Sequence, residues 1–116
     1  MPVSPFGSAT QLAALIRRHK LSASDALDAY LARLETHNPR INAVIVTRIE
    51  AARKEARAID RALAKGVKLG PLAGVSMTVK ESFNVAGLPT TWGLTEHKGK
   101  LVAEDASGLG AVFRNP

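Results

Sequence analysis

Apolar residues recur every three or four positions in three stretches of the chain, and this spacing predicts three α-helices. Two of them fall within residues 8–37. The third begins at residue 49 and stops before Gly66, a residue suited to the position just past a helix. The apolar positions are Leu12, Leu15 and Ile16 in the first helix, Leu27, Tyr30, Leu31 and Leu34 in the second, and Ile49, Ala52, Ala56, Ile59 and Leu63 in the third.

Polar residues mark where the first two helices begin. Ser8 and Gln11 fit a capping box, in which each side chain accepts a hydrogen bond from the other residue's backbone N–H. Ser22 fits the N-cap of the second helix, and Asp25 lies in its first turn, where the helix dipole favours negative charge. An Asn-Pro pair at 38–39 predicts the end of this helix, because a proline disfavours the helical conformation in the residue before it.

Two short stretches predict β-strands. Residues 41–47 are rich in Ile and Val, and in residues 75–80 apolar and polar residues alternate. With the helix between them, these strands predict a βαβ unit over residues 41–113, with a right-handed crossover between parallel strands. We therefore expect an α/β chain of about three helices and two or three strands, preceded by an extended lead-in at residues 1–7.

Lys80 is the strongest candidate for chemistry. It ends the second predicted strand on the same face as Ser76 and Thr78, and the Gly/Pro loop 87–91 follows. A lysine held among hydroxyls in a closed site loses its proton readily and acts as a base. The alternative is a lysine that extends from a strand end into solvent or pairs with Glu81.

Composition narrows the other possibilities. The 116 residues suffice for one domain at most, and they contain no cysteine, so disulfides and thiolate metal sites are excluded. His19, His37 and His97 are too far apart in sequence to indicate a metal site, and no phosphate-binding fingerprint predicts a cofactor. With no signal peptide or apolar run long enough for a membrane span, we expect a cytoplasmic protein.

The formal net charge of +6 raises the possibility of nucleic-acid binding. No nucleic-acid motif accompanies the charge, and basic residues commonly solvate helix faces. The sequence therefore favours solvated helix faces over a nucleic-acid partner.

An ordered set of short motifs resembles the amidase signature family. These motifs are Gly70-Pro71-Leu72, Gly74-Val75, Val79-Lys80-Glu81, Val85, Gly87 and Pro89-Thr90-Thr91, and Ser76 stands where a proline is usual. The resemblance covers residues 8–105. It implies that the chain is the N-terminal portion of an α/β/α sandwich, a single and incomplete domain over residues 1–116.

Members of this family are hydrolases that cleave linear C–N amide bonds with a Ser–cis-Ser–Lys relay. The resemblance implies that Lys80 is the catalytic base of that relay, with no metal or cofactor. Both serines of the relay lie downstream of the lysine in Gly/Ser-rich segments, and no serine of this chain has such a setting. We therefore expect the chain to be inactive alone and to act on an amide substrate only if completed. The sequence identifies no substrate-binding residue.

Two further functions stay open: a structural or interaction module that self-associates, and a basic nucleic-acid-binding protein. A part of a sheet leaves a strand edge and an apolar face uncovered. We therefore expect either a homo-oligomer or a complex with a complementary amidase segment. The apolar stripes of the helices near residues 9–19 and 23–37 are candidate contact surfaces, and the strand edge is the competing one.

Overall fold

Three α-helices make up most of the regular structure in residues 3–109, the part of the chain that the computed structural model describes. Helix α1 spans Ala9–Arg17, α2 spans Ala23–Ile41 and α3 spans Ile49–Ala64, and a single 3-10 turn spans Thr95–His97. The described residues form two compact units, with the boundary between Ser76 and Met77. No helix in this range is both long and apolar enough to cross a membrane.

The start of α1 confirms the predicted capping box. Ser8 Oγ accepts a hydrogen bond from the Gln11 N–H at 3.1 Å, and Gln11 Oε1 accepts from the Ser8 N–H at 2.9 Å. The predicted extended lead-in is wrong for the residues just before the helix. Residues 4–7 form a turn, closed by the Gly7 N–H on the Ser4 carbonyl at 3.2 Å, because Pro5 and Gly7 suit a turn better than an extended chain.

The N-terminus of α2 is capped from within and from α3. Ser22 Oγ accepts from the Asp25 N–H at 2.9 Å, as predicted. Asp60, on α3, accepts from the Ala23 N–H at 2.7 Å and from the Ser24 N–H and hydroxyl at 3.1 and 2.6 Å. The first three N–H groups of α2 are therefore all satisfied, and a negative charge lies where the helix dipole favours it.

Helix α2 continues through Pro39 to Ile41, so the predicted end at residue 37 is wrong. The reason is the side chain of Asn38. It accepts from the Ala43 and Val44 N–H groups at 3.0 and 2.9 Å and donates to the Val44 carbonyl at 2.9 Å. These bonds stabilise the chain reversal after the helix, and Asn42 takes the left-handed conformation there with φ 52°.

The end of α3 confirms the role of Gly66. This glycine has φ +74°, its N–H donates to the Leu63 carbonyl at 2.9 Å, and the Val67 N–H donates to the Ala62 carbonyl at 3.0 Å. Together these bonds form a Schellman motif, which satisfies carbonyls that the helix itself leaves unpaired.

The core of the first unit lies between the three helices. Leu12, Ile16 and Ala26 form one buried cluster, and Ala23, Leu27 and Ala56 form a second. Gly74 follows the helices in a tight turn with φ +81°. A Cβ placed there would lie 3.0 Å from both Ile16 Cδ1 and Ala23 Cβ. A side chain at this turn would therefore press against the core, and the positive φ would strain it further.

The predicted strands 41–47 and 75–80 are not formed, and neither is the βαβ unit within residues 41–109. The β pairing that the described residues contain is an isolated antiparallel bridge between Pro89 and Leu101. Extended backbone becomes a strand only when a neighbouring strand pairs with it, and Ile41 and Ile45 remain 65% and 61% exposed. Residues 110–113, also assigned to this unit, lie outside the described residues. The prediction of a single domain stays a prediction.

Candidate functional site

Lys80 lies in the second unit, where an extended segment enters a turn. Its side chain is exposed, and its carbonyl accepts a hydrogen bond from the Phe83 N–H at 2.9 Å. Thr78, predicted to share its face, is exposed too. Within the described residues the Lys80 side chain is therefore open to water.

Glu81 fixes the loop that sequence analysis placed beside the lysine. Its Oε1 accepts from both the N–H and the hydroxyl of Thr91, the latter at 2.7 Å, and its Oε2 accepts from the Trp92 N–H at 3.1 Å. The hydroxyl of Thr91 in turn accepts from the Gly93 N–H at 3.2 Å. One carboxylate, adjacent in sequence to Lys80, thus positions the loop from residue 91 to residue 93.

These hydrogen bonds also set the protonation of Glu81. The Thr91 hydroxyl and the Thr91 and Trp92 N–H groups stabilise the carboxylate and hold the pKa of Glu81 below its ordinary value of 4.5. The positive charge of Lys80 acts in the same direction, and partial desolvation opposes it. No ion pair joins Glu81 to Lys80 in residues 3–109, so the structure does not support the simple Lys80–Glu81 pair.

A second carboxylate holds the other end of this loop. Asp105 Oδ1 accepts from the Ala86 N–H at 2.8 Å, and the Ala106 N–H donates to the Asn84 carbonyl at 2.9 Å. Beyond these contacts, the Val102 carbonyl accepts from the Gly87 N–H at 2.9 Å, and the Val102 N–H donates to the Leu88 carbonyl at 3.1 Å. The return segment 101–106 therefore lies along the Gly/Pro loop.

Thr90 is the buried residue of this loop, at 8% exposure. Its hydroxyl has no hydrogen-bond partner among the described residues. A buried hydroxyl without a partner costs about 1–3 kcal/mol. Trp92, two residues later, is 69% exposed with φ +56°, so its indole is not packed in the described structure. The reason is that Glu81 holds its backbone while no described side chain covers the indole.

Sequence reasoning identified Lys80 and the loop but missed the residue that links them. Glu81 was weighed only as a charge partner of Lys80, although the Thr-Thr pair ten residues later offers it hydroxyl and amide donors. In residues 3–109, no three His, Asp or Glu side chains come together in a way that could hold a metal ion.

Comparison with known proteins finds similar sequences that cover most of this chain. A sequence model of the amidase family matches residues 25–112. Human fatty-acid amide hydrolase 2 is 36% identical over 118 residues, a match that covers 90% of this chain and 22% of that protein. The chain spans about a fifth of the length of the curated relatives it matches.

Solved structures share the fold. A bacterial aryl acylamidase of the amidase signature enzymes superposes with a TM-score of 0.82 at 27% identity, over 89% of this chain and 22% of that one. A component of a vestigial protein complex, connected with the origins of an s-triazine catabolic enzyme, superposes with a TM-score of 0.85 at 30% identity over 91% of this chain and 23% of its own. The helices and loops described above are therefore a portion of that α/β fold.

Proposed function

The chain belongs to the amidase signature family, and we propose that it forms the lysine-bearing part of an amide hydrolase in which Lys80 is the catalytic base. The observation that supports this most directly is the position of Lys80 beside Glu81, whose carboxylate positions the Thr91–Trp92 loop. A base needs fixed surroundings to accept a proton in a productive geometry. This network fixes the loop that the residue next to Lys80 holds.

In the proposed reaction, a Ser–cis-Ser–Lys relay transfers the acyl group of an amide to a serine. The C–N bond breaks, the amine leaves with the proton that the relay returns, and water then hydrolyses the acyl-serine to the free acid. Lys80 takes the proton of one serine, which in turn activates the nucleophilic serine. To be a base, the lysine must be neutral, and burial favours that state. Lys80 is exposed in the described structure. Serines from outside these 116 residues are therefore required both for the reaction and for closing the site around the lysine.

The purified 116-residue chain is accordingly inactive. Small aliphatic and aromatic amides incubated with it should show no turnover above the uncatalysed rate, since the nucleophile is missing. Turnover that disappears in Lys80→Ala would overturn this part of the proposal.

The positive test is a chimera. This chain replaces the matching N-terminal segment of the bacterial aryl acylamidase, and circular dichroism first confirms that the product folds. Hydrolysis of an aryl amide by the chimera supports the proposed function. A folded chimera without activity contradicts it.

We further propose that the chain associates with a second copy or with a complementary amidase segment. The prediction that the apolar stripes of the first two helices are contact surfaces is wrong, because Leu12, Ile16 and Leu27 are buried in the core of the first unit. The segment 41–46 is the better surface, since Ile41, Ile45 and Val46 are 65%, 61% and 41% exposed and its backbone pairs with no strand in the described residues.

Sedimentation tests this association. Exposed apolar area contributes about 25 cal/mol per Å² when it is buried, so Ile45→Asp should shift the chain toward monomer. The control is Ala58→Asp, at an exposed position of α3, which adds the same charge. A monomer at all concentrations would contradict self-association.

A further inference from the structure

Helix α3 carries a basic stripe along the side that faces solvent, formed by Lys54, Arg57, Arg61 and Lys65. These residues follow one another at intervals of three or four positions, so their side chains lie on one face of the helix. All four are exposed. At 1.5 Å per residue the stripe is about 16 Å long.

The opposite side of α3 fixes the direction of the stripe. Ala56 is buried in the core of the first unit, and Ala52, Ile59 and Leu63 pack against that core. The helix is therefore held by its apolar side, and the stripe points away from the core.

Three of the acidic residues near the stripe are engaged elsewhere, and a fourth, the exposed Glu50, lies one turn before Lys54. Asp60 caps α2, and Glu55 pairs with Arg48 at 2.6 Å. Asp28 pairs with Arg53, which lies beside the stripe. Within residues 3–109, no ion pair involves the four cations of the stripe. The basic charge of this chain is thus partly concentrated on one helix face, which composition alone did not reveal.

We infer that the basic stripe binds the phosphate backbone of double-stranded nucleic acid without reading its sequence. A row of cations with no apolar or aromatic residue between them suits a regular row of phosphates. A protein partner would require apolar or aromatic anchors at the centre of the contact, and single strands are bound mainly by aromatic stacking platforms. The stripe has neither, since the other exposed residues on this side are Ala58, Ala64 and Glu50.

The experiment measures fluorescence anisotropy of a labelled 20-base-pair DNA duplex titrated with the 116-residue chain. Neutralising about four phosphates releases their counterions, so the logarithm of the affinity should fall with the logarithm of salt concentration with a slope of about −3 to −4. The test variant is Lys54→Gln, Arg57→Gln, Arg61→Gln and Lys65→Gln together. Glutamine keeps a good helix propensity, and circular dichroism confirms that the variant folds.

The matched control removes four exposed cations outside the stripe: Arg18→Gln, Lys20→Gln, Arg33→Gln and Arg40→Gln. Both variants lose the same charge, so a general charge effect would weaken them equally. We expect the stripe variant to lose at least tenfold in affinity at low salt, with a slope near zero, and the control to lose less than threefold. Equal losses in the two variants would overturn the inference. So would equally tight binding of polyglutamate or of a single strand, because the surface would then belong to acidic proteins or to unpaired strands.

Discussion

In residues 3–76, three helices bury apolar side chains against one another, whereas in residues 77–109, turns are joined by polar side chains. Every buried apolar residue of the described chain lies in the first unit: Leu12, Ala13, Ile16, Ala23, Ala26, Leu27, Ala56 and Ala73. The second unit relies on Glu81 and Asp105 as acceptors for backbone N–H groups. The first unit is therefore stabilised mainly by burial, and the second, which carries Lys80, by hydrogen bonds.

Because of this difference, the residues that stabilise the chain by burial and the residues of the candidate site lie in different units. Apolar burial is non-directional and holds α1 to α3 together. Hydrogen bonds are directional, and they fix the loop beside Lys80 without covering the lysine. Substitutions in the first unit should therefore change the free energy of unfolding, and substitutions in the second should change local order around the candidate site.

The largest effect is expected at Ile16, which is 1% exposed. Ile16→Ala should lower the free energy of unfolding by about 2–5 kcal/mol, since it removes apolar contacts and leaves a cavity. Urea denaturation followed by circular dichroism measures it. Phe6→Ala, at a 93% exposed position, is the control and should stay within about 0.5 kcal/mol. Equal losses at the two positions would erase the distinction between buried and exposed apolar residues.

Gly74 tests the close approach of the turn to this core. Gly74→Ala should cost about 2–4 kcal/mol, because the new Cβ meets Ile16 and Ala23 and because an L-residue is strained at positive φ. Gly66→Ala has a similar φ of +74° but nothing within 4 Å of its Cβ, so it should cost only about 1–2 kcal/mol. A similar cost at both positions would mean that conformation alone, and not packing, requires glycine at 74.

Asp60 tests whether polar capping also matters in the first unit. Asp60→Ala should lower the free energy of unfolding by about 1–2 kcal/mol, since the Ala23 and Ser24 N–H groups lose their acceptor. Glu35→Ala on the exposed face of α2 is the control, with an expected change within about 0.5 kcal/mol. If Asp60→Ala matches that control, Ser22 alone is sufficient to cap α2.

The smallest effect on global stability, and the clearest local one, is expected at Glu81. Glu81→Gln should leave the unfolding midpoint nearly unchanged but lower the fluorescence anisotropy of Trp92, the sole tryptophan, because its backbone loses a charged acceptor. Glu96→Gln, exposed in the same unit, is the control and should not change the anisotropy.

The same readout should depend on pH. The pKa of Glu81 is lower in the folded chain than its ordinary value of 4.5, so its contribution to loop order is complete above that pH and is lost as the pH falls through the folded pKa. Glu81→Gln should abolish this transition in Trp92 anisotropy. An identical pH profile in the variant would assign the transition to other groups.

The helices were predictable from sequence because their determinants are local. The Ser8–Gln11 box, the Ser22 cap and the Gly66 terminus each depend on residues within a few positions of one another. The extension of α2 through Pro39 was not predicted, since it depends on an asparagine side chain that reaches residues 43 and 44. Asp60 acts across 36 and 37 residues, a separation that no local pattern reveals.

The absence of the strands and the role of Glu81 were not predictable, because both depend on which residues come into contact in the folded chain. Residues 41–47 have a strand-like sequence, but a strand forms only with a partner, and none of the described residues provides one. Lys80 was identified by its place in an ordered set of motifs. The role of Glu81 depends on a contact with Thr91 and Trp92 that spacing alone could not predict.

The most direct test of the central claim is the catalytic constant of the amidase chimera with Lys80→Ala. A general base contributes about 10²–10⁴-fold to the rate, so kcat for an aryl amide should fall by that factor while the chimera stays folded. Lys98→Ala, at an exposed lysine of the same unit, is the control and should retain the parent rate. A Lys80→Ala chimera as active as the Lys98→Ala control would contradict the assignment of Lys80 as the catalytic base.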